Sequence, residues 1–348
     1  MHTTYLSWMA AETNTRWNND SAIDAQAEAA MAQGAIGLTI NPPLSYEALT
    51  TDGSFYEGRL ARIDRDLPDD EYAFQALCLV AARFSKKFMP LHQARGGIYG
   101  CVRAQVAPNL RADAKGMLDY GERLAAIGGN IMVKIPGSAA GIWALEELAA
   151  RGIPTNPTVV VTVSQAVAAA EAFERGRERA LKAGMPEPWS SCAVVMGRLQ
   201  DYLSALNQER NLGLPAEDLE RAVLAVVKRV YRIFKERGYR SWVMPAAFRT
   251  PLQVEQLAGG EFCETIHPKI QEALAEADKA GRLRRQVFAD APVDEDALKR
   301  VSAKIPEFAP AYEPQGLKAE QFDRYGALVM TLDGFDQGWR KLAGLKKR

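Results

Sequence analysis

Short runs of apolar, β-branched residues recur along this chain, separated by segments whose apolar positions repeat at helical spacing. The runs predict eight strands, at residues 5–11, 35–39, 100–106, 130–135, 158–163, 192–196, 242–246 and 262–266. The clearest helix between them is 215–237, where Leu219, Val223, Val226, Val227, Val230 and Phe234 form one stripe. Pro215 suits its first turn and Gly238 supplies a left-handed stop. Segments 113–127, 141–151 and 164–175 read as further helices, ending at Gly128-Gly129, at Gly152 and before Gly176.

Strands alternating with helices indicate parallel βαβ units with right-handed crossovers. Eight repeats predict a closed (β/α)8 barrel, the TIM-barrel form of the α/β class. An open doubly wound sheet permits the same alternation, but no predicted strand leads into a GxGxxG-type loop. Two stretches break the even spacing. Residues 45–98 form a long connection with a helix near 70–88, and residues 269–348 add helical material, including 321–342. The chain reads as one barrel domain over 1–348, with 269–348 as a helical C-terminal extension of that domain.

One polar residue interrupts the apolar pattern. Lys134 lies in Asn130-Ile131-Met132-Val133-Lys134-Ile135-Pro136. In a strand, Ile131, Val133 and Ile135 take one face while Met132, Lys134 and Pro136 take the other. Removing an unpaired ammonium from water costs several kcal/mol, and the usual response is a depressed pKa. The neutral amine is the form that attacks a ketone to make a Schiff base. A lysine of this kind in isolation is more often a strand-end side chain that reaches solvent.

The company of Lys134 changes that reading. Barrel enzymes gather their chemistry at the C-terminal strand ends. There the predicted elements place Glu12 after the first strand, Thr39 and Asn41 after the second, and Gln105 on the third. Asn156 and Thr158 stand at the start of the fifth, Arg198 follows the sixth and Arg249 the seventh. Singly these are caps, turn formers or solvated cations. Together they are a candidate site.

Charge and composition remove other classes. Lys plus Arg and Asp plus Glu both total 43, so net charge gives no case for nucleic acid or an anionic membrane surface. A hydrophobic content of 47% fits a folded globular protein, while the longest apolar runs fall short of a membrane span. The first residues have neither the basic nor the apolar region of a signal peptide, so a cytoplasmic location is expected. Cys78, Cys101, Cys192 and Cys263 are scattered without CxxC spacing, which predicts reduced thiols. His2, His92 and His267 are equally dispersed, so neither a metal site nor a histidine triad is expected.

Six motifs in order resemble the transaldolase family of Schiff-base-forming aldolases. They are Thr39-Ile40-Asn41-Pro42-Pro43, Val133-Lys134-Ile135-Pro136 with Gly141-Ile142, Pro154-Thr155-Asn156-Pro157-Thr158, Val195-Met196-Gly197-Arg198, Pro245-Ala246-Ala247-Phe248-Arg249 and Cys263-Glu264-Thr265. The resemblance implies a (β/α)8 barrel in which Lys134 forms an imine with a ketose phosphate. Retro-aldol cleavage would leave a dihydroxyacetone enamine on Lys134, which a second aldehyde captures. It also implies Glu12 as the acid/base carboxylate, with Gln105 and Thr158 in the catalytic group. Thr39, Asn41 and Asn156 would bind substrate, and Arg198 and Arg249 would grip its phosphate. No cofactor or metal is implied; sugar phosphates are the partners, in carbohydrate metabolism of the pentose phosphate type, and related enzymes form homo-oligomers.

The chain departs from the family pattern at several positions. The first-strand acid is normally aspartate, and Asp20 and Asp24 are the alternatives to Glu12. The family glutamate on the third strand is Gln105, and Ala104-Gln105-Val106 looks more like the fructose-6-phosphate aldolase branch. Ala193 and Ala247 stand where serine is common, and Val195 where the aldolase branch usually has tyrosine. Three functions are therefore carried forward: a dihydroxyacetone transferase first, an aldolase releasing free dihydroxyacetone second, and a catalytically silent sugar-phosphate or protein-binding barrel third.

Overall fold

The computed structural model describes residues 4–347. Its strands are β1 (Arg16–Asn19), β2 (Leu38–Thr39), β3 (Val102–Gln105), β4 (Ile131–Pro136), β5 (Thr155–Thr158), β6 (Ser191–Val194), β7 (Trp242–Pro245) and β8 (Cys263–Ile266). Six run in the parallel order β5-β4-β3-β2-β1-β8, and β6 and β7 pair in parallel beside them. Parallel bridges Thr155 to Ser190 and Val160 to Val194 join β5 to β6; Val243 to Phe262 and Ala246 to Thr265 join β7 to β8. The ring closes as a (β/α)8 TIM-barrel-like fold.

Outward side chains of the strands meet the helices. Leu38, Val102, Ala104, Ile131, Val133 and Ile135 belong to one buried cluster, and Trp17, Cys192, Val194, Val243 and Ile266 to another. Inward side chains are polar to an unusual degree, and this polarity hid β1. Its sequence Arg16-Trp17-Asn18-Asn19 has one large apolar residue, because Asn18 faces the barrel interior rather than a helix. The segment 5–11, expected as the first strand, is instead part of the helix Tyr5–Glu12. Tyr5, Leu6 and Met9 have helical spacing and are its buried residues, and a Thr4/Ser7 capping box fixes its start.

Two other expectations are corrected. The fifth strand covers Thr155–Thr158, earlier than the expected 158–163, because Val159 turns to a positive φ of 54° and breaks the extended run. The helix expected to stop before Gly176 continues through it, spanning Val163–Lys182. A Cβ on Gly176 would lie 2.4 Å from the Glu146 carbonyl oxygen, so this glycine serves close packing on the helix Ala139–Ala150. The helix Ala216–Arg237 ends as expected at Gly238, with φ 64°.

The helix Gly326–Gly344 returns across the barrel mouth and buries Leu332, Phe335 and Trp339. Gly338 allows it to approach Pro43, whose Cδ would stand 2.5 Å from an added Cβ. Trp339 Nε1 donates to Asp70 at 2.8 Å, fixing the same helix to the long connection. Among the described residues no helix is long and apolar enough to cross a membrane.

Candidate active site

Inward-facing residues at the C-terminal strand ends line a narrow cavity of about 60 Å³. Lys134 reaches it from β4, and Asn156, its register partner on β5, stands beside it. Thr158 from β5 and Thr39 from β2 add hydroxyls, the latter within 2.9 Å of Thr265 Oγ1 on β8. Asn41 lines the cavity while its Oδ1 accepts from the Leu44 amide and caps the helix Pro42–Thr51. That leaves its Nδ2 donor for a ligand. Ala193, Met244 and Ala246 form apolar wall, and Phe335 from the C-terminal helix covers one side.

The carboxylate in this cavity is Asp20, not Glu12. Arg16, Asn18 and Asp20 alternate along one face of β1 and its extension, so Asp20 emerges at the C-terminal end. Glu12 ends the preceding helix, is exposed, and lies on the N-terminal side of β1, away from the cavity. The error follows from misplacing the first strand. The alternation Arg16/Asn18/Asp20 was the available signal, masked by the absence of an apolar run.

Lys134 is only 4% exposed, and burial pushes its ammonium down to about 8; Arg103 adds to the shift and Asp20 opposes it. Burial raises the Asp20 carboxyl above the ordinary aspartate range, tempered first by Lys134 and then by His267, Arg198 and Arg249. Each group is thus moved toward its neutral form. An amine that is partly unprotonated near neutral pH and a carboxylate able to exchange a proton now share one enclosure.

Gln105 is fully buried on β3 in register with Lys134. Both ends of its amide, and Asn156 Oδ1, lack a protein partner among the described residues. Buried amides of this kind retain capacity for substrate or water. Asn156 Nδ2 is engaged, donating to the Ser191 carbonyl and Oγ.

Arg198 lines the cavity from the first turn of the helix Met196–Glu209, where amide N–H groups also favour an anion. Burial first, then Arg249, lowers its pKa. Arg249 stands behind it and is not part of the cavity wall. Its Nε donates to Asp201 Oδ1 at 2.9 Å, its Nη2 to Asp201 Oδ2, and its Nη1 to the Ala247 carbonyl at 2.8 Å. Asp201 also lies 3.7 Å from Arg198. Sequence reasoning missed this carboxylate, since a residue one helical turn past the arginine looks like an ordinary solvated face.

Backbone strain marks the same region. Val159 and Ala247 adopt φ of 54° and 61°, a conformation that costs a β-branched residue most. They flank β5 and β7 where those strands deliver Thr158 and the cavity-lining Ala247. Among the described residues no group of three or more His, Cys, Asp or Glu could hold a metal ion.

A family model described as Transaldolase/Fructose-6-phosphate aldolase matches residues 19–328. A protein named Transaldolase from Thiobacillus denitrificans is 27% identical over 327 residues, covering 84% of this chain and 87% of its own. Transaldolase 1 of Streptomyces coelicolor is 26% identical over 340 residues, 88% of each chain. A Neisseria meningitidis serogroup A Transaldolase reaches 31% over 209 residues, 59% of this chain and 58% of its own. The barrel, the buried lysine on β4 and this match over most of the chain agree: the chain belongs to the transaldolase/fructose-6-phosphate aldolase family of enzymes.

Proposed function

We propose that this enzyme is a transaldolase that carries a dihydroxyacetone unit on Lys134 between sugar phosphates. The observation that carries the reading is a buried lysine with a lowered pKa facing an aspartate across a narrow cavity, with an arginine at its rim. The neutral Nζ attacks the C2 carbonyl of a ketose phosphate, and loss of water gives the iminium. Asp20 takes the C4 hydroxyl proton. The C3–C4 bond breaks, its electron pair enters the iminium as an enamine, and the aldose phosphate leaves. An acceptor aldehyde then meets the enamine, its oxygen recovers the proton from Asp20, and water hydrolyses the imine.

Asn156 and Asn41 support the hydroxyls and the carbinolamine, and Thr158 and Thr39 add hydroxyls to the same cavity. Arg198 and its helix N-terminus receive the phosphate, and Arg249 supports them through Asp201. The C-terminal helices belong to the same barrel unit in this reading, since Phe335 closes the site. We assign the enzyme to cytoplasmic carbohydrate metabolism of the pentose phosphate type, as a homo-oligomer.

Borohydride reduction in the presence of fructose 6-phosphate tests the core of the proposal. A three-carbon adduct on Lys134 is the expected product; absence of adduct with every ketose phosphate tried sinks it and favours a binding barrel. Gln105 favours a second reading, cleavage with release of free dihydroxyacetone. Its amide orients a water for enamine protonation and imine hydrolysis but cannot accept a proton. Turnover of fructose 6-phosphate without any acceptor aldehyde distinguishes this aldolase from the transferase.

A further inference from the structure

Beneath the cavity, the barrel interior holds a guanidinium. Arg103 is fully buried on β3, two residues before Gln105 and on the same face. Its Nη1 donates to Asn18 Oδ1 on β1 at 2.7 Å, its Nε to Ser191 Oγ on β6 at 3.1 Å, and its Nη2 contacts Cys263 Sγ on β8 at 3.3 Å. These partners lie on three strands around the ring, so the group sits in the middle of the barrel. All are uncharged. Among the described residues no carboxylate lies within ion-pair distance of it. A buried cation without a counter-charge is costly, and its field in a low-dielectric interior is weakly screened.

Two routes lead from this guanidinium to the cavity floor. Ser191 Oγ, which accepts from Arg103, also lies 3.1 Å from Asn156 Nδ2, so one hydroxyl ties the two side chains together. Arg103 and Lys134 lie on adjacent strands, with Arg103 in register with Met132 and Gln105 with Lys134. We propose that Arg103 is a positioning residue whose uncompensated charge, added to burial, favours the neutral form of the Lys134 amine, and which holds Asn156 through Ser191. This rests on Lys134 being the nucleophile only for its consequence in turnover; its effect on the amine is separately measurable.

The other charge acting on Lys134 is Asp20 after β1, which favours the ammonium; Asp20 in turn is faced by His267, Arg198 and Arg249 beyond β8, β6 and β7. Among the described residues, the strands β2 and β5 contribute Thr39, Asn156 and Thr158 to the cavity, and the C-terminal helix Phe335, all uncharged. Arg103 is therefore the cation built into the floor itself.

Two substitutions cancel its field, one by removing the charge and one by compensating it. Arg103→Met deletes the guanidinium. Asn18→Asp keeps it and places a carboxylate against Nη1. Trace acetic anhydride labelling across pH, read by mass spectrometry, gives the Lys134 midpoint without any substrate. Lys228 serves as internal reference, because burial against the Phe288 and Ala291 carbonyls also lowers it to about 8, far from the barrel interior. Both variants should raise the Lys134 midpoint by about one unit, so that labelling at pH 7 falls roughly tenfold while Lys228 is unmoved. In borohydride trapping the same displacement should appear, with recovery at high pH. Arg103→Lys, which restores the charge, should return the midpoint toward the wild-type value.

If Arg103→Met does not fold, Asn18→Asp decides alone. An unchanged Lys134 midpoint in the folded variants overturns the proposal even where trapping succeeds. A shifted midpoint in an enzyme that never traps a ketose upholds it and overturns only the Schiff-base function.

Discussion

Asp20 and Lys134 open onto one cavity from β1 and β4, and each offsets the other's loss of hydration. Burial drives the amine toward neutrality and the carboxyl toward protonation; mutual attraction opposes both shifts. The result is an amine and a carboxyl with pKa values brought closer together than those of free side chains, as the proposed nucleophile and proton carrier require. Aldol chemistry at neutral pH needs that convergence.

Lys134→Met should abolish adduct formation and reduce turnover by more than about 10³-fold, since removal of the covalent route leaves only binding. The variant should be at least as stable as wild type at pH 7, because an apolar chain of similar length replaces a buried amine. Intact-protein mass spectrometry after reduction and a urea titration check both halves.

Asp20→Asn should lower kcat by roughly 10²- to 10⁴-fold, the usual contribution of a positioned acid/base group. Imine formation should suffer less than bond cleavage. Glu12→Gln, on an exposed helix end, should change kcat by less than about twofold. The reverse pattern would return the proton-transfer role to Glu12.

The pH dependence has a defined sign. The folded-state pKa of Lys134 is depressed to about 8 from an unfolded value near 10.5. Its stability contribution is fully present above about 10.5 and is lost as pH falls through about 8, up to about 3 kcal/mol in all. Denaturation of wild type against Lys134→Met between pH 7 and pH 10 should therefore show the variant's advantage shrinking as pH rises. An advantage that is constant or grows with pH contradicts a depressed lysine.

Arg198→Ala should raise KM for a phosphorylated ketose by roughly 10- to 100-fold, the equivalent of one charge-assisted hydrogen bond, with a smaller change in kcat. Unphosphorylated substrates should be nearly indifferent. Steady-state kinetics on a phosphorylated and an unphosphorylated ketose pair separates this from general damage.

Gly197→Ala tests the wall that carries Arg198. An added Cβ would lie 1.8 Å from the Ala247 carbonyl oxygen and 2.8 Å from Arg249 Nη1, both already fixed by their own hydrogen bond. We expect a loss of about 1–3 kcal/mol from overpacking, seen in thermal denaturation, together with weakened phosphate binding. A variant of wild-type stability would mean that the loop after β7 yields more easily than its packing suggests.

The sequence by itself determined the alternation of strands and helices, the closure into a barrel, and Lys134 as the residue of interest. Those features depend on local periodicity and on one cation in an apolar run, both of which a linear chain displays. It also placed Asn41, Asn156, Thr158 and Arg198 at the barrel end where they line one cavity, because turn chemistry and motif order travel with the strands. Only the tertiary structure decided which carboxylate shares the cavity, since Asn18 and Asp20 face a polar interior and leave β1 without an apolar signature. The pairing of Arg249 with Asp201, the cover supplied by Phe335, and the place of the Arg103 guanidinium inside the barrel were likewise decided there. Each joins residues from distant parts of the chain, and such contacts leave no periodic trace along the sequence.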